Sequence, residues 1–400
     1  MKLSYNLIRR KILMSFTDKL QSTTVNTVNV GEKPGESCMN MTLTVLGTRG
    51  SMAVSAPNMA GYGGNTTCYL IETPKEAIII DAGTGIMNLP DLQGKRISLL
   101  ITHAHIDHIM ALPMFLGRQA GKEITIYGEM RDGLTIKEQL ERYISNPLWP
   151  VTMDEYPVKL TFKDITTDNN AANNTDNTDK ANSAINNSSF NIGDVTVSTM
   201  PSNHPGGSTI YRLDYNGESV VIATDFEHEG VTASDCSQST AAGNPLACLA
   251  AFSASASLIL YDAQYTPEEY EKCRGYGHST YVQAIELAEK LAVGDRGAFG
   301  DKVSCKESAE PTRILLIHHA PNHDDAFLDA LQAEIDRTIA AKMDESGKAM
   351  TTGTGLSSDS TGADQHASST QPMYAPFACP PQISLARESQ TYIINKNIIL

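Results

Sequence analysis

Ile97-Ser98-Leu99-Leu100-Ile101-Thr102-His103-Ala104-His105-Ile106-Asp107-His108 is the stretch on which the reading of this chain turns. Its first five residues are a short apolar run with a polar residue at the carboxyl end, the pattern of a strand buried on both faces. Three histidines and an aspartate then fall within six residues. His103 and His105, two apart on an extended segment, point to one side. Asp107 and His108 follow as the chain turns into a helix expected over residues 107–116, so they face a second point nearby. Neutral imidazole and carboxylate suit zinc, iron or manganese. The plain alternative is a set of surface or core histidines around a helix start.

Outward from this stretch the same pattern returns. Residues 42–46, 66–71, 77–80, 219–223, 258–261 and 314–317 are apolar runs, and the polar residue that ends them is repeatedly His or Asp. Residues 195–200 make a further strand. Glycine-rich turns at 47–51 and 61–65 separate the first runs. Further helices are expected over 282–291, opened by the capping box Thr280-Tyr281-Val282-Gln283, and over 324–342, with an apolar stripe of Phe327, Leu328, Leu331, Ile335 and Ile339. Strands mixed with outer helices give an α/β layered domain.

Composition bounds what this domain does. The chain has 400 residues, 41% hydrophobic, enough for a sizeable core. With 31 basic against 46 acidic residues, the net charge of −15 repels phosphate backbones and disfavours a general grip on long nucleic acid. The charge-free stretch 243–261 is too weakly apolar to span a bilayer. Seven scattered cysteines without a Cys-x-x-Cys pair argue against a disulfide framework and a thiolate zinc knuckle. Basic residues near Met1 have no apolar run behind them, so a cytoplasmic location is expected. Residues 1–40 read as a poorly structured leader, with Met14, Met39 and Met41 as candidate starts. The domain is expected over 41–342, with polar or Ala/Ser-rich insertions near 164–189, 231–257 and 294–310. A largely disordered tail is expected over 343–400.

The His-x-His-x-Asp-His string at 103–108 resembles the signature of the metallo-β-lactamase superfamily. Gly47-Thr48-Arg49-Gly50-Ser51, Gly63-Gly64-Asn65-Thr66, Asp81-Ala82-Gly83-Thr84-Gly85 and Gly277-His278-Ser279-Thr280 narrow the resemblance. Together they look like the bacterial branch related to ribonuclease Z and to cyclic-phosphate and cyclic-nucleotide phosphodiesterases. The resemblance covers roughly 41–341 and implies a four-layer αββα sandwich in a single domain. It also implies two divalent metal ions, zinc in the first place with manganese or iron as alternatives. His103, His105 and His204 would hold one ion and Asp107, His108 and His318 the other, with Asp225 bridging both. For the last ligand, His319 and His323 stay open beside His318.

Catalytic roles follow from the same resemblance. His278 matches a histidine near the leaving group and reads as the general acid, or else as a plain helix cap; Asp107 is counted with it as catalytic. Asp262 either orients a site imidazole or is structural. Arg49 and Asn65 are candidate substrate contacts, with an exposed arginine and a turn-stabilising asparagine as the plain alternatives. The expected activity is hydrolysis of a small cyclic or linear phosphodiester by a hydroxide shared between the two metals. Alternatives are a superfamily hydrolase of a lactone, thioester or β-lactam, a ribonuclease Z-like tRNA 3′ endonuclease, a diiron oxidoreductase, and a non-enzymatic sensor. The expected partner is a small phosphodiester, with no membrane, and a homodimer is an assembly open to the chain.

Overall fold

The computed structural model describes residues 40–165, 189–229, 244–294, 313–352 and 380–394. The expected leader up to residue 39, most of the 164–189 insertion, and stretches 230–243, 295–312 and 353–379 lie outside the described residues. Of the seven cysteines, Cys68, Cys248 and Cys273 are described, and all three are free thiols.

Strands β1 (Met41–Gly47), β2 (Cys68–Glu72), β3 (Glu76–Ile80), β4 (Arg96–Ile101), β5 (Glu123–Glu129) and β6 (Lys159–Ile165) lie side by side in chain order. The first three run antiparallel and β3 to β6 run parallel. A second sheet holds β7 (Ser189–Ile192), β8 (Val195–Ser202), β9 (Ser208–Tyr215), β10 (Glu218–Ala223), β11 (Leu258–Asp262), β12 (Arg313–Ile317) and β13 (Gln382–Leu385). It too is antiparallel at one end and parallel from β10 to β13. Strand β14 (Thr391–Ile394) returns to the first sheet, antiparallel to β1.

Alternation along the strands builds the layers. In β3, Ile78 and Ile80 enter the core between the sheets, while Ala77 and Ile79 enter an outer core. That outer core also contains Leu112, Phe115 and Leu116 of one helix and Ile136 and Leu140 of another. In β12, Leu315 and Ile317 point inward, and Ile314 and Leu316 outward against Ala284, Ile285, Leu328 and Ile335. Both faces of these central strands are therefore dry, which is why they read as unbroken apolar runs. Each fully buried Leu or Ile contributes about 1.5–3 kcal/mol relative to exposure. The result is mixed α/β with two seven-stranded sheets between helical layers, the αββα sandwich.

Three expectations need correction. The helix expected over 107–116 is two helices, α1 (Ile106–Ile109) and α2 (Leu112–Gly117), because Pro113 has no N–H and fits only a first turn. After α3 (Ile136–Tyr143), helix α4 (Pro245–Phe252) lies within the stretch expected as an insertion over 231–257. Its Leu246, Leu249 and Phe252 are core, and Asn244 caps it by accepting from Leu246 N at 2.9 Å. Helices α5 (Pro267–Cys273), α6 (Tyr281–Gly294) and α7 (Asp325–Thr352) follow. Finally, the tail expected to be largely disordered over 343–400 contains the end of α7 and both β13 and β14, which bury Ile383, Leu385 and Ile394. No helix among the described residues is long and apolar enough to cross a membrane.

Candidate active site

The predicted site residues gather at the carboxyl ends of strands. His103 to His108 follow β4, His204 follows β8, Asp225 follows β10, Asp262 ends β11 and His318 follows β12. Parallel pairing of β10, β11 and β12 sets the last three ends side by side. The two sheets are joined here, since Thr209 N donates to Thr102 O at 3.0 Å and Tyr211 Oη to Ile101 O at 2.8 Å. Asp81, Asp225 and His318 have φ of 62°, 52° and 65°, a left-handed backbone that costs a non-glycine residue about 1–3 kcal/mol. Gly50 allows the 47–51 turn to close over them, because a Cβ there would stand 2.2 Å from His318 Nδ1.

Asp225 is central. Its Oδ2 lies 3.6 Å from His103 Nε2 and 3.7 Å from His204 Nε2, and His204 Nε2 is 3.1 Å from His105 Nδ1. Its Oδ1 lies 3.1 Å from His108 Nε2 and 3.3 Å from His318 Nε2; each of these nitrogens is 3.3 Å from Asp107 Oδ2. Two groups of potential ligands thus stand on either side of one carboxylate: His103, His105 and His204 on one, Asp107, His108 and His318 on the other. His278 also lies within ligand distance of Asp225 and His318.

Surrounding groups fix the rings. Asp81 Oδ2 takes His108 Nδ1 at 2.7 Å and the Thr102 hydroxyl at 2.8 Å, and Thr102 Oγ1 is 3.1 Å from His103 Nδ1. His204 Nδ1 donates to Gly277 O at 3.1 Å, leaving Nε2 for the cluster. Ser51 N donates to Asp107 Oδ2 at 2.7 Å. Asp262 Oδ2 holds His278 Nδ1 at 2.7 Å.

Burial pulls His103 well below the usual imidazole range and His204 down to about 4. Burial acts the same way on His318, but Asp225, Asp107 and Asp262 outweigh it and carry the ring up to about 9. His108 is likewise driven well up by Asp225, Asp107 and Asp81 against its burial. Asp225 is held far below the carboxylate range by the surrounding imidazoles, despite burial. Such a cluster is short of positive charge. The buried Nε2 of His103 has no hydrogen-bond partner, which costs free energy unless a cation meets it. The residues therefore fit a divalent metal centre.

Two predicted substrate contacts belong elsewhere. Arg49 is fully buried and donates to Gly63 O (2.7 Å), Ala320 O (3.1 Å) and His323 O (2.6 Å); it ties three turns together and cannot reach a substrate. Asn65 is taken by Glu388, which accepts from its Nδ2 at 2.9 Å and from its backbone N–H. Among the three candidates after β12, only His318 faces the cluster. His319 Nε2 bonds Ala386 O at 2.9 Å, and His323 Nε2 bonds Glu269 at 2.9 Å. Asp81 and Glu227 were missed as site residues. Asp81 carried a signal, a strand-ending aspartate like Asp225, whereas Glu227 lay unread in the Asp225-Phe226-Glu227-His228 string. A cleft of about 460 Å³ opens beside His103 and His105, walled by Ile106, Tyr143 and Leu148 and by Arg131 and Arg142.

Residues 61–238 match the metallo-β-lactamase superfamily. Ribonuclease Z of Lacticaseibacillus casei (strain BL23) is 26% identical over 284 residues, which cover 64% of this chain and 82% of that protein. Among solved structures, the metallo-β-lactamase fold protein YhfI from Bacillus subtilis has a TM-score of 0.52 at 12% identity, over 89% of this chain and 99% of its own. Yeast PDE1 has the same TM-score at 14% identity, over 89% of this chain and all (100%) of its own.

Proposed function

We propose that this chain, a metal-dependent hydrolase carrying a metallo-β-lactamase superfamily domain, cleaves a small cyclic or linear phosphodiester at a two-metal site. The observation that carries the reading is Asp225, one carboxylate whose two oxygens address two separate ligand groups. In a paired site of this kind a shared carboxylate is the bridge. His103, His105 and His204 would hold one cation; Asp107, His108 and His318 would hold the other. The five imidazoles in the set favour zinc. When bound, two such cations supply Lewis acidity and lower the pKa of a bound water.

The chain's own residues do the rest. His278, buried at the edge of the cluster with Nδ1 anchored on Asp262, presents Nε2 toward the reacting group and protonates the departing oxygen. Asp262 fixes the ring and its tautomer. The cleft beside His103 and His105 accepts one arm of the ester, and its volume falls in the range of small-molecule sites. The acidic net charge supports a small substrate over a long polyanion.

Ribonuclease Z supports a second reading, since that relative is matched over most of its length and its name marks RNA as the target. Metal analysis combined with hydrolysis of bis(p-nitrophenyl) phosphate tests the first reading. Activity that follows metal content and disappears with chelator is expected, and activity indifferent to chelator, or absent with every divalent ion, would sink it. Faster cleavage of a tRNA precursor than of any small diester would move the assignment to the second reading.

A further inference from the structure

We infer that Glu227 is a positioning residue for proton transfer, acting through the peptide that carries His278. The inference rests on the reading of His278 as the general acid. Glu227 follows the central Asp225 by two residues and is buried. Its Oε1 accepts from Tyr270 Oη at 2.8 Å and Gly275 N at 2.7 Å, and its Oε2 accepts from Gly277 N at 3.0 Å. Three donors converge on one carboxyl group, so its two oxygens are fixed against the loop.

The loop they hold turns through the left-handed region at two glycines. Gly275 and Gly277 have φ of 85° and 87°, and a Cβ at Gly277 would stand 2.0 Å from His204 Nδ1. Gly277 is gripped at both ends: its N–H by Glu227 and its C=O by His204 Nδ1. That carbonyl belongs to the peptide bond leading into His278, so the carboxylate sets where the His278 backbone starts. Glu227 also reaches the turn bearing His204. Its N–H donates to Asn203 O at 2.9 Å, and its C=O accepts from Asn203 Nδ2 at 2.8 Å. One residue therefore joins a ligand-bearing turn, held by its backbone, to the loop of the proton donor, held by its carboxylate, while touching neither substrate nor ligand cluster.

The test is leaving-group dependence in the metal-loaded protein. Glu227→Gln keeps size but turns an N–H toward Gly277 N–H, which removes that bond while the Tyr270 and Gly275 bonds can persist. Bis(p-nitrophenyl) phosphate has a leaving group that needs little protonation; diphenyl phosphate needs much more. Glu227→Gln is expected to slow diphenyl phosphate about tenfold more than the nitrophenyl ester, the direction His278→Ala also takes, with bound metal unchanged. In the double variant the two losses should not multiply. Tyr270→Phe, which leaves both loop amides bonded, is expected to keep the wild-type ratio. Equal losses on both esters in Glu227→Gln, or a ratio shifted as much by Tyr270→Phe, would overturn the proposal while His278 stands. Equal losses in His278→Ala would remove the acid itself, and the proposal with it.

Discussion

The two halves of the ligand cluster share Asp225 yet are opposite in electrostatic character. On one side stand three imidazoles, of which His103 and His204 are pulled toward the neutral form by burial. On the other, His108 and His318 are surrounded by Asp107, Asp225, Asp81 and Asp262, which outweigh burial and favour the charged ring. The difference teaches where protons and metal compete. The first half offers ready lone pairs near neutrality, whereas in the second half a cation must displace protons from His108 and His318. The first half should fill at lower pH, and the second should hold its ion by charge as much as by donor number.

The largest expected effect comes from removing what the halves share. Asp225→Ala should empty both halves and lower kcat/KM by about 10³–10⁴-fold, roughly 4–5.5 kcal/mol; retention of two ions per chain by elemental analysis would contradict the bridging role. Next, His318→Ala should leave one ion per chain and His204→Ala should leave the other, each with a loss of about 10²-fold or more. Loss of both ions in either single variant would erase the distinction between halves.

A smaller effect is expected at Asp81, which orients His108 from behind. Asp81→Asn should weaken the second ion about 10–100-fold while the first binds normally, as read by competition with a chelating dye. In metal-free protein the halves should give pH slopes of opposite sign. His204, at about 4 when folded, takes up its proton mainly on unfolding; its contribution is present above the ordinary imidazole pKa and is lost as pH falls toward 4. His318, at about 9 when folded, contributes fully below the ordinary value, and that contribution is lost as pH rises through 9. Melting temperature of the chelated protein should therefore peak near neutrality. His204→Gln should flatten the acid side and His318→Gln the alkaline side, and slopes unchanged by both would refute the comparison. Least of all, Arg49→Lys should lower the melting temperature and leave KM alone, since that side chain spans turns and not the cleft.

How much of this was legible follows from burial and adjacency. The 103–108 string and the strand-ending Asp225 could be read because a buried apolar run stopped by His or Asp has few structural explanations. His318 and His319 are neighbours and point in opposite directions, a choice that residue types leave open and that the resemblance only tilts toward His318. Arg49 misled because a guanidinium after a strand looks like a phosphate contact, and the three carbonyls that absorb it come from residues 63, 320 and 323. The short strands Gln382–Leu385 and Thr391–Ile394 were hidden for another reason. Four residues of alternation beside Ser/Thr-rich chain carry too little periodicity, and only pairing with β12 and β1 makes them strands.

Those two strands bear on the order of synthesis. The first residues of β1 pair with β14 and those of β12 with β13, and between the two strands Glu388 grips Asn65 across 323 positions of sequence. A ribosome delivers the 103–108 string long before either edge strand exists. Until residue 388 emerges, the turn beside the site lacks its clamp, and the buried strands β1 and β12 stand as edges toward neighbouring nascent chains. Synthesis of the 103–108 string and completion of the sandwich are thus separated in time, and the chain is most exposed to mispairing in the interval between them.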